Sequence, residues 1–299
     1  MASSLADSRV WFITGSSQGL GRALVEAVLA AGDRAVATLR TPSILTDLKS
    51  KYPSSQLLIQ PLDVTFPAQI KEAFEATREH FNRLDVVVNN AGYGLFGEIE
   101  ATSDEDARKQ IEVLFWGPVN ISKEAIKFFM DVNPAGRGGR IFNISSIGGY
   151  QANHNLAFYS AGKFALEAFT QSLTKEIPPS WNIKGCIIEP GGLRTEWGHT
   201  SLIRLPQHPR YSDPSTPSSQ FRAVMGAIPG IGDPVRAAQA IVDLSREPEM
   251  PLRLQLGSDA YYLAEAQATQ TLKDQKKWAS ISHSTNAEDY DKGILSLIL

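Results

Sequence analysis

The chain has 299 residues, 42% hydrophobic and 20% charged, an ordinary balance for a globular protein with a sizeable core. Lysine and arginine number 29 against 32 aspartate and glutamate, a net charge of −3, so no basic excess points to nucleic acid or an anionic membrane. Cys186 is the single cysteine. That excludes an intrachain disulfide and a cysteine-rich zinc site, and predicts a reducing, cytoplasmic setting.

Residues 1–8 are polar and lack the basic and apolar regions of a secretion signal. No stretch reaches the ~18 apolar residues of a membrane span. Residues 10–14, Val-Trp-Phe-Ile-Thr, are an apolar run too short for a buried helix and predict a strand. A glycine-rich turn follows. Residues 21–31 then carry Leu24, Val25, Val28 and Leu29 at helical spacing, stopped by Gly32. Strands are predicted next at 35–39, 57–61, 85–89, 140–144 and 184–188. Helices are predicted between them at 43–51, 67–82, 103–132 and 159–176. Thr102-x-x-Glu105 reads as a capping box and sets one helix start near Ser103.

Residues 194–233 are rich in proline, serine and glycine and read as a mobile excursion. A helix at 234–244, a strand at 251–256 and a helix at 261–279 complete the chain. This rhythm predicts an α/β fold, a doubly wound, Rossmann-like parallel sheet of about seven strands with helices on both faces. Residues 1–299 read as a single domain. Its excursion near 194–233 serves as a substrate lid that excludes water. A C-terminal helix and tail occupy 258–299, and the apolar tail 294–299 docks on its own domain or on a second subunit.

Three glycine patterns compete for the chemistry. Gly15-Ser16-Ser17-Gln18-Gly19-Leu20-Gly21 follows a predicted strand and opens a helix. There glycines admit a pyrophosphate to the backbone, and the helix N-terminus offers free N–H groups. The same residues fit G-x-S-x-G, the nucleophile elbow of hydrolases, which would make Ser17 a nucleophile. That reading needs a histidine after a later strand, and none of His80, His154, His199, His208 and His283 stands there. Gly92-x-Gly94-x-x-Gly97 also matches a dinucleotide pattern, but the next helix starts too late to face it.

Further pieces stand in register with the first motif: Asp63, Asn89-Asn90-Ala91-Gly92, Ser145-Ser146, Tyr159-x-x-x-Lys163 and Pro190-Gly191-x-x-x-Thr195. Together they resemble the short-chain dehydrogenase/reductase family from about Val10 to Thr195, with a weaker echo at 252–259. The wording is closest to the hydroxysteroid dehydrogenase and fungal ketone reductase branch. The resemblance implies a catalytic group of Ser146, Tyr159 and Lys163. It places Gly15, Ser17, Gln18, Gly19, Leu20, Asp63, Asn89, Ala91, Gly92, Tyr159, Lys163, Pro190, Gly191 and Thr195 along a nicotinamide cofactor. Tyr159 and Lys163 are four apart on a predicted helix and share a face. An ammonium beside the phenol is expected to lower its pKa from ~10 towards neutrality.

Charge selects the cofactor. An NAD site normally ends its second strand with an acid that bonds the ribose 2′-hydroxyl. Here the stretch is Ala37-Thr38-Leu39-Arg40, and Arg40 suits a 2′-phosphate. The expectation is NADP(H). The likeness also implies dimers or tetramers built on the fourth and fifth helices.

One departure stands out. The family usually carries an asparagine three residues before Gly117, where it helps to hold a water joining the lysine to solvent; here the residue is Leu114. Leucine forms no hydrogen bond. An alternative therefore stands beside the reductase reading: a cofactor-bound relative whose pocket serves isomerisation, cyclisation or binding alone. For substrate, Leu95, Phe96, Ile147, Tyr150, Phe158, Leu193 and Trp197 fall near strand ends and imply a bulky apolar or aromatic carbonyl compound or its alcohol. His154 is a further candidate contact.

Overall fold

Runs such as Val86-Val87-Val88, buried throughout, have the composition of central parallel strands. A computed structural model describes residues 8–198, 200–225, 230–290 and 292–294. His199, residues 1–7 and most of the apolar tail, 295–299, lie outside the described residues. The strands are β1 (Val10–Thr14), β2 (Arg34–Leu39), β3 (Leu57–Pro61), β4 (Val86–Asn89), β5 (Gly94–Phe96), β6 (Gly139–Ile144), β7 (Ile183–Pro190), β8 (Leu202–Arg204) and β9 (Arg253–Leu256). The helices are α1 (Gly19–Ala30), α2 (Thr46–Lys51), α3 (Pro67–Phe81), α4 (Asp104–Ile111), α5 (Gly117–Asp131), α6 (Ala157–Glu176), α7 (Pro217–Val224), α8 (Pro234–Leu244), α9 (Ser258–Lys277) and α10 (Ala279–Ser284).

Seven strands form one parallel sheet in the order β3-β2-β1-β4-β6-β7-β9. Alternation along β1 divides the core in two. Trp11 and Ile13 pack under α1 and α8 with Leu24, Val28 and Ile241. Val10 and Phe12 pack under α3 and α5 with Ile70, Phe74 and Phe128. The chain winds outward from β1 in both directions, so β1 and β4 flank the switch point. At such a point a crevice opens beyond the carboxyl ends of the strands. Among the described residues no helix is long and apolar enough to cross a membrane.

Two local expectations need correction. Residues 103–132 are not one helix. A π-turn, Glu112–Trp116, separates α4 from α5, and the Gly117 N–H bonds back five residues to the Glu112 carbonyl. Pro118 has no N–H for the Leu114 carbonyl, so the regular ladder cannot run through. The cap also moves by one residue. Ser103 Oγ accepts from the Asp106 N–H at 3.1 Å, whereas Thr102 Oγ1 donates to the Glu98 carbonyl.

The excursion carries structure of its own. β8 pairs in parallel with β5, and α7 follows. Buried Glu98 anchors them: Arg222 donates Nε and Nη2 to its two oxygens at 2.7 Å each, and Ser218 Oγ donates at 2.5 Å. The His208 N–H adds a bond at 3.2 Å.

Candidate active site

The glycine turn after β1 is held against the turn after β4. Thr14 Oγ1 accepts from the N–H groups of Asn90 and Ala91 at 2.9 and 3.0 Å. Asn90 Nδ2 donates back to the Thr14 carbonyl at 2.8 Å. Gly15 has φ +67°, and a Cβ there would sit 2.8 Å from the Ala91 Cα; only glycine fits. A Cβ on Gly21 would collide with the Gly15 carbonyl oxygen. Gln18 precedes α1 without a side-chain cap. The first N–H groups of α1 thus have no side chain to satisfy them and carry the positive end of the helix dipole, which suits a diphosphate.

A cleft of about 1800 Å³ lies beyond the carboxyl ends of the sheet. The turn residues Gly15, Ser17, Gln18, Gly19 and Leu20 reach it, with Arg40 after β2, Asp63 after β3, and Ala91 and Gly92 after β4. Ser146, Tyr159, Lys163, Pro190, Gly191 and Thr195 line it too. Asn89 does not. It is buried, and its Nδ2 donates to Asn143 Oδ1 and Ser122 Oγ at 2.7 and 3.2 Å. It locks β4 to β6 and α5, while its neighbour Asn90 lines the cleft. Asp63 also caps its own turn, accepting from Thr65 N and Oγ1. Gln18 Nε2 reaches across to Thr200 and Ser201 of the insertion at 2.8 and 3.0 Å.

Tyr159 and Lys163 project from one face of α6, and both are buried. Ser146 Oγ accepts from the Gly148 N–H at 3.0 Å and bonds to the Tyr159 phenol. Its neighbour Ser145 points away and donates to Glu167 Oε1 at 2.6 Å, as alternation at a strand end requires. Lys163 Nζ donates to the Ile144 carbonyl at 2.7 Å and lies 5.8 Å from the Tyr159 ring centroid. Burial pushes the Lys163 ammonium down to about 8, with Glu167 opposing. Burial also raises the Tyr159 phenol, and the Ser146 bond offsets only part of this. In the protein alone, then, Lys163 does not bring the phenol towards neutrality. Its own burial and its bond to a backbone carbonyl leave desolvation in control.

Leu114 is fully buried and packs between Gly92 and Gly162. It brings an apolar wall to the lysine, where the resemblance expects an amide. Of the substrate candidates, Ile147, Leu193 and Trp197 line the cleft, and Trp197 meets Tyr159 edge-on at 5.7 Å between centroids. Leu95 and Phe96 are buried in β5, and neither they nor Tyr150 and Phe158 line the cleft. His154 sits against Phe221 outside it. Sequence reasoning missed Leu156, Ile203 and Met225, which do line it. Ile203 arrives through the β5–β8 pairing, whose three-residue strands are too short to show alternation, and Met225 is the C-cap of α7. Among the described residues no histidine lines the cleft beside Ser17.

Comparison with known proteins identifies the family. The family model described as short chain dehydrogenase matches residues 9–202. The chain belongs to the short-chain dehydrogenase family. It is 36% identical over 279 residues to an uncharacterized oxidoreductase of Schizosaccharomyces pombe, covering 93% of this chain and 92% of that one. It is also 36% identical over 286 residues to the oxidoreductase calM of Penicillium decumbens, covering 93% of each. A short-chain dehydrogenase structure from Streptomyces avermitilis superposes with a TM-score of 0.85 at 32% identity, covering 94% of this chain and 99% of that one. This short-chain dehydrogenase is accordingly an oxidoreductase of that type.

Proposed function

We propose that this protein is an NADP(H)-dependent oxidoreductase that reduces a ketone or aldehyde bearing a bulky apolar or aromatic group with NADPH, or oxidises the matching alcohol with NADP+ as hydride acceptor. The observation that carries the reading is a convergence. One cleft holds the glycine-lined, uncapped start of α1 and the buried group of Ser146, Tyr159 and Lys163.

The cofactor fits this chain because Gly15 and Gly21 leave backbone where a side chain would stand. The α1 N-terminus would hold the diphosphate, Asp63 and Ala91 the adenosine side, and Lys163 and Thr195 the nicotinamide side. Arg40 follows β2 at the cleft rim and would pair with a 2′-phosphate, since no acid ends that strand. When bound, the cofactor supplies the hydride. Ser146 donates a hydrogen bond that orients the substrate oxygen. Tyr159 gives that oxygen its proton, a role suited to a phenol that lines the cleft. Lys163 holds a positive charge near the phenol as it loses the proton, which stabilises the phenolate. Trp197, Ile147 and Leu193 give the substrate an apolar wall and help keep water out.

The exposed Trp116 and Phe164, on the π-turn and α6, support a homodimer or tetramer formed through that face. The buried, unpaired Cys186 supports a cytoplasmic setting.

The test is the loss of NADPH absorbance with a panel of bulky ketones and aldehydes, run beside Tyr159→Phe. Turnover that falls at least ~1000-fold in the variant, with NADPH binding retained, is expected. Undiminished turnover in Tyr159→Phe would refute the reading.

A further inference from the structure

Behind the catalytic group lies a buried charge cluster that the reaction above does not use. Tyr159, Lys163 and Glu167 stand at intervals of four along one face of α6, all three buried. Glu167 faces charged or polar groups from every element around it. Ser145, at the end of β6, donates to its Oε1 at 2.6 Å. Arg253, on β9, donates to its Oε2 at 3.2 Å. The same Arg253 Nε lies 3.3 Å from Oε1 of Glu189, a fully buried residue on β7. Gln255 on β9 donates to the other Glu189 oxygen at 2.6 Å. Cys186 on β7 is uncharged, its thiol pushed up to about 12 by burial. From α6 itself comes Lys163. The opposite side of Lys163 is apolar, with Gly92 and Leu114 against it.

Two buried carboxylates therefore share one guanidinium, and the cluster connects the strand ends that carry Ser146 and Pro190 to the helix that carries Tyr159. A second cation lies one helical turn from Glu167, and it is the lysine of the site. Lys163 Nζ has the Ile144 carbonyl as its hydrogen-bond partner, which carries no net charge. Glu167 is the acid whose field raises the Lys163 pKa.

We propose that Glu167 is a positioning residue of the reductase site, which keeps Lys163 charged and, through Ser145, fixes the strand end that carries Ser146. The assignment rests on the reductase reading. Its pH dependence follows from the two groups. Burial raises Glu167 to about 7, so it is ionised above neutrality and protonated below. Burial lowers Lys163 to about 8, so its charge fails just above the range in which Glu167 ionises. In that interval ionised Glu167 supports the ammonium by direct attraction. Below it, glutamate and a glutamine substitute are both neutral and should behave alike.

The test compares wild type with Glu167→Gln and Glu167→Asp by two readouts. The first is NMR of 13C-lysine-labelled protein, following Lys163 and needing no turnover. The second is the pH profile of kcat with NADPH and a reducible ketone. Glu167→Gln should lower the Lys163 midpoint by about one unit and move the alkaline limb of kcat with it, a loss near tenfold at about pH 8.5 that shrinks below pH 7. Glu167→Asp, which keeps the charge, should retain most of the wild-type limb. The amide matches the protonated acid in shape, and NADPH fluorescence verifies that the variant is folded. A Lys163 midpoint and a kcat profile that coincide in wild type and Glu167→Gln would overturn the assignment. Failure of the reductase reading would show separately, as absent turnover in wild type with the lysine shift still present.

Discussion

The ion pair between Glu98 and Arg222 gives a sharp test of how the insertion is held. The carboxylate sits just after β5, accepts two Arg222 bonds of 2.7 Å, and is almost wholly removed from solvent. Arg222, and to a lesser degree Ser218, hold it down at about 2 from an ordinary 4.5. A shift of that size corresponds to roughly 3 kcal/mol at neutral pH. Glu98→Gln removes the charge and leaves the guanidinium, itself largely buried, against a neutral amide. The expected loss of anchoring is about 2–3 kcal/mol, a roughly 30–150-fold fall in the ratio of anchored to released insertion.

The perturbation is local, so the assay must be local. Hydrogen exchange of amides in β8 and α7 should accelerate by that factor, while β1 and β4 stay protected. KM for bulky substrates should rise, because Trp197 and Met225 border both the insertion and the cleft. NADPH affinity should hold, because the glycine turn is fixed by Thr14 and Asn90 instead. A double-mutant cycle with Arg222→Met isolates the pair. A coupling energy under about 0.5 kcal/mol, or unchanged exchange in Glu98→Gln, would refute this account.

Three further outcomes are expected. Gly21→Ala should abolish NADPH binding in fluorescence titration, since the new methyl group meets the Gly15 carbonyl oxygen. Arg40→Glu should weaken NADPH more than NADH by at least about tenfold in parallel KM measurements, because it sets a carboxylate against the 2′-phosphate. Leu114→Asn should lower the unfolding free energy in chemical denaturation by about 2–4 kcal/mol, since it puts an amide among Leu156, Phe96 and Leu202; equal or greater stability would show that a buried partner for the amide exists.

Much of the fold was legible in the sequence because its signals are local. The strands β1, β3 and β9 and the helices α3, α6 and α8 each announce themselves by an apolar run or a 3.6-residue period, and the glycine turn carries its own context. What escaped depends on contacts between distant residues. Asn89 and Asn90 are adjacent and chemically identical, yet one locks strands and the other faces the cleft; only the twist at the end of β4 decides which. The β5–β8 pair joins segments about a hundred residues apart through three-residue strands, with no pattern long enough to read. The π-turn adds one residue to a helix whose apolar spacing otherwise continues. Even the Tyr159–Lys163 spacing, plain in sequence, misled on its electrostatics, because burial of the pair outweighs their attraction.

Glu98 and Glu167 show how similar burial yields opposite titration. Both are nearly inaccessible carboxylates with an arginine and a serine as partners. Glu98 has Arg222 to itself, with both oxygens bonded, and its pKa falls to about 2. Glu167 shares Arg253 with Glu189, and desolvation lifts it to about 7. The signs then differ. Glu98 contributes stability in full above pH ~4.5, and that contribution is lost as pH falls towards 2. Glu167 is most easily accommodated when protonated, so its contribution is present in full below pH ~4.5 and is lost as pH rises towards about 7. The Glu167–Lys163 pair should therefore act on activity on the alkaline side, as Lys163 loses its charge above about 8, while the insertion stays anchored. Release of β8 and α7 should occur only below pH ~4.5. Kinetics and hydrogen exchange recorded on the same pH series would separate the two events; simultaneous loss of activity and protection would mean that one acid controls both.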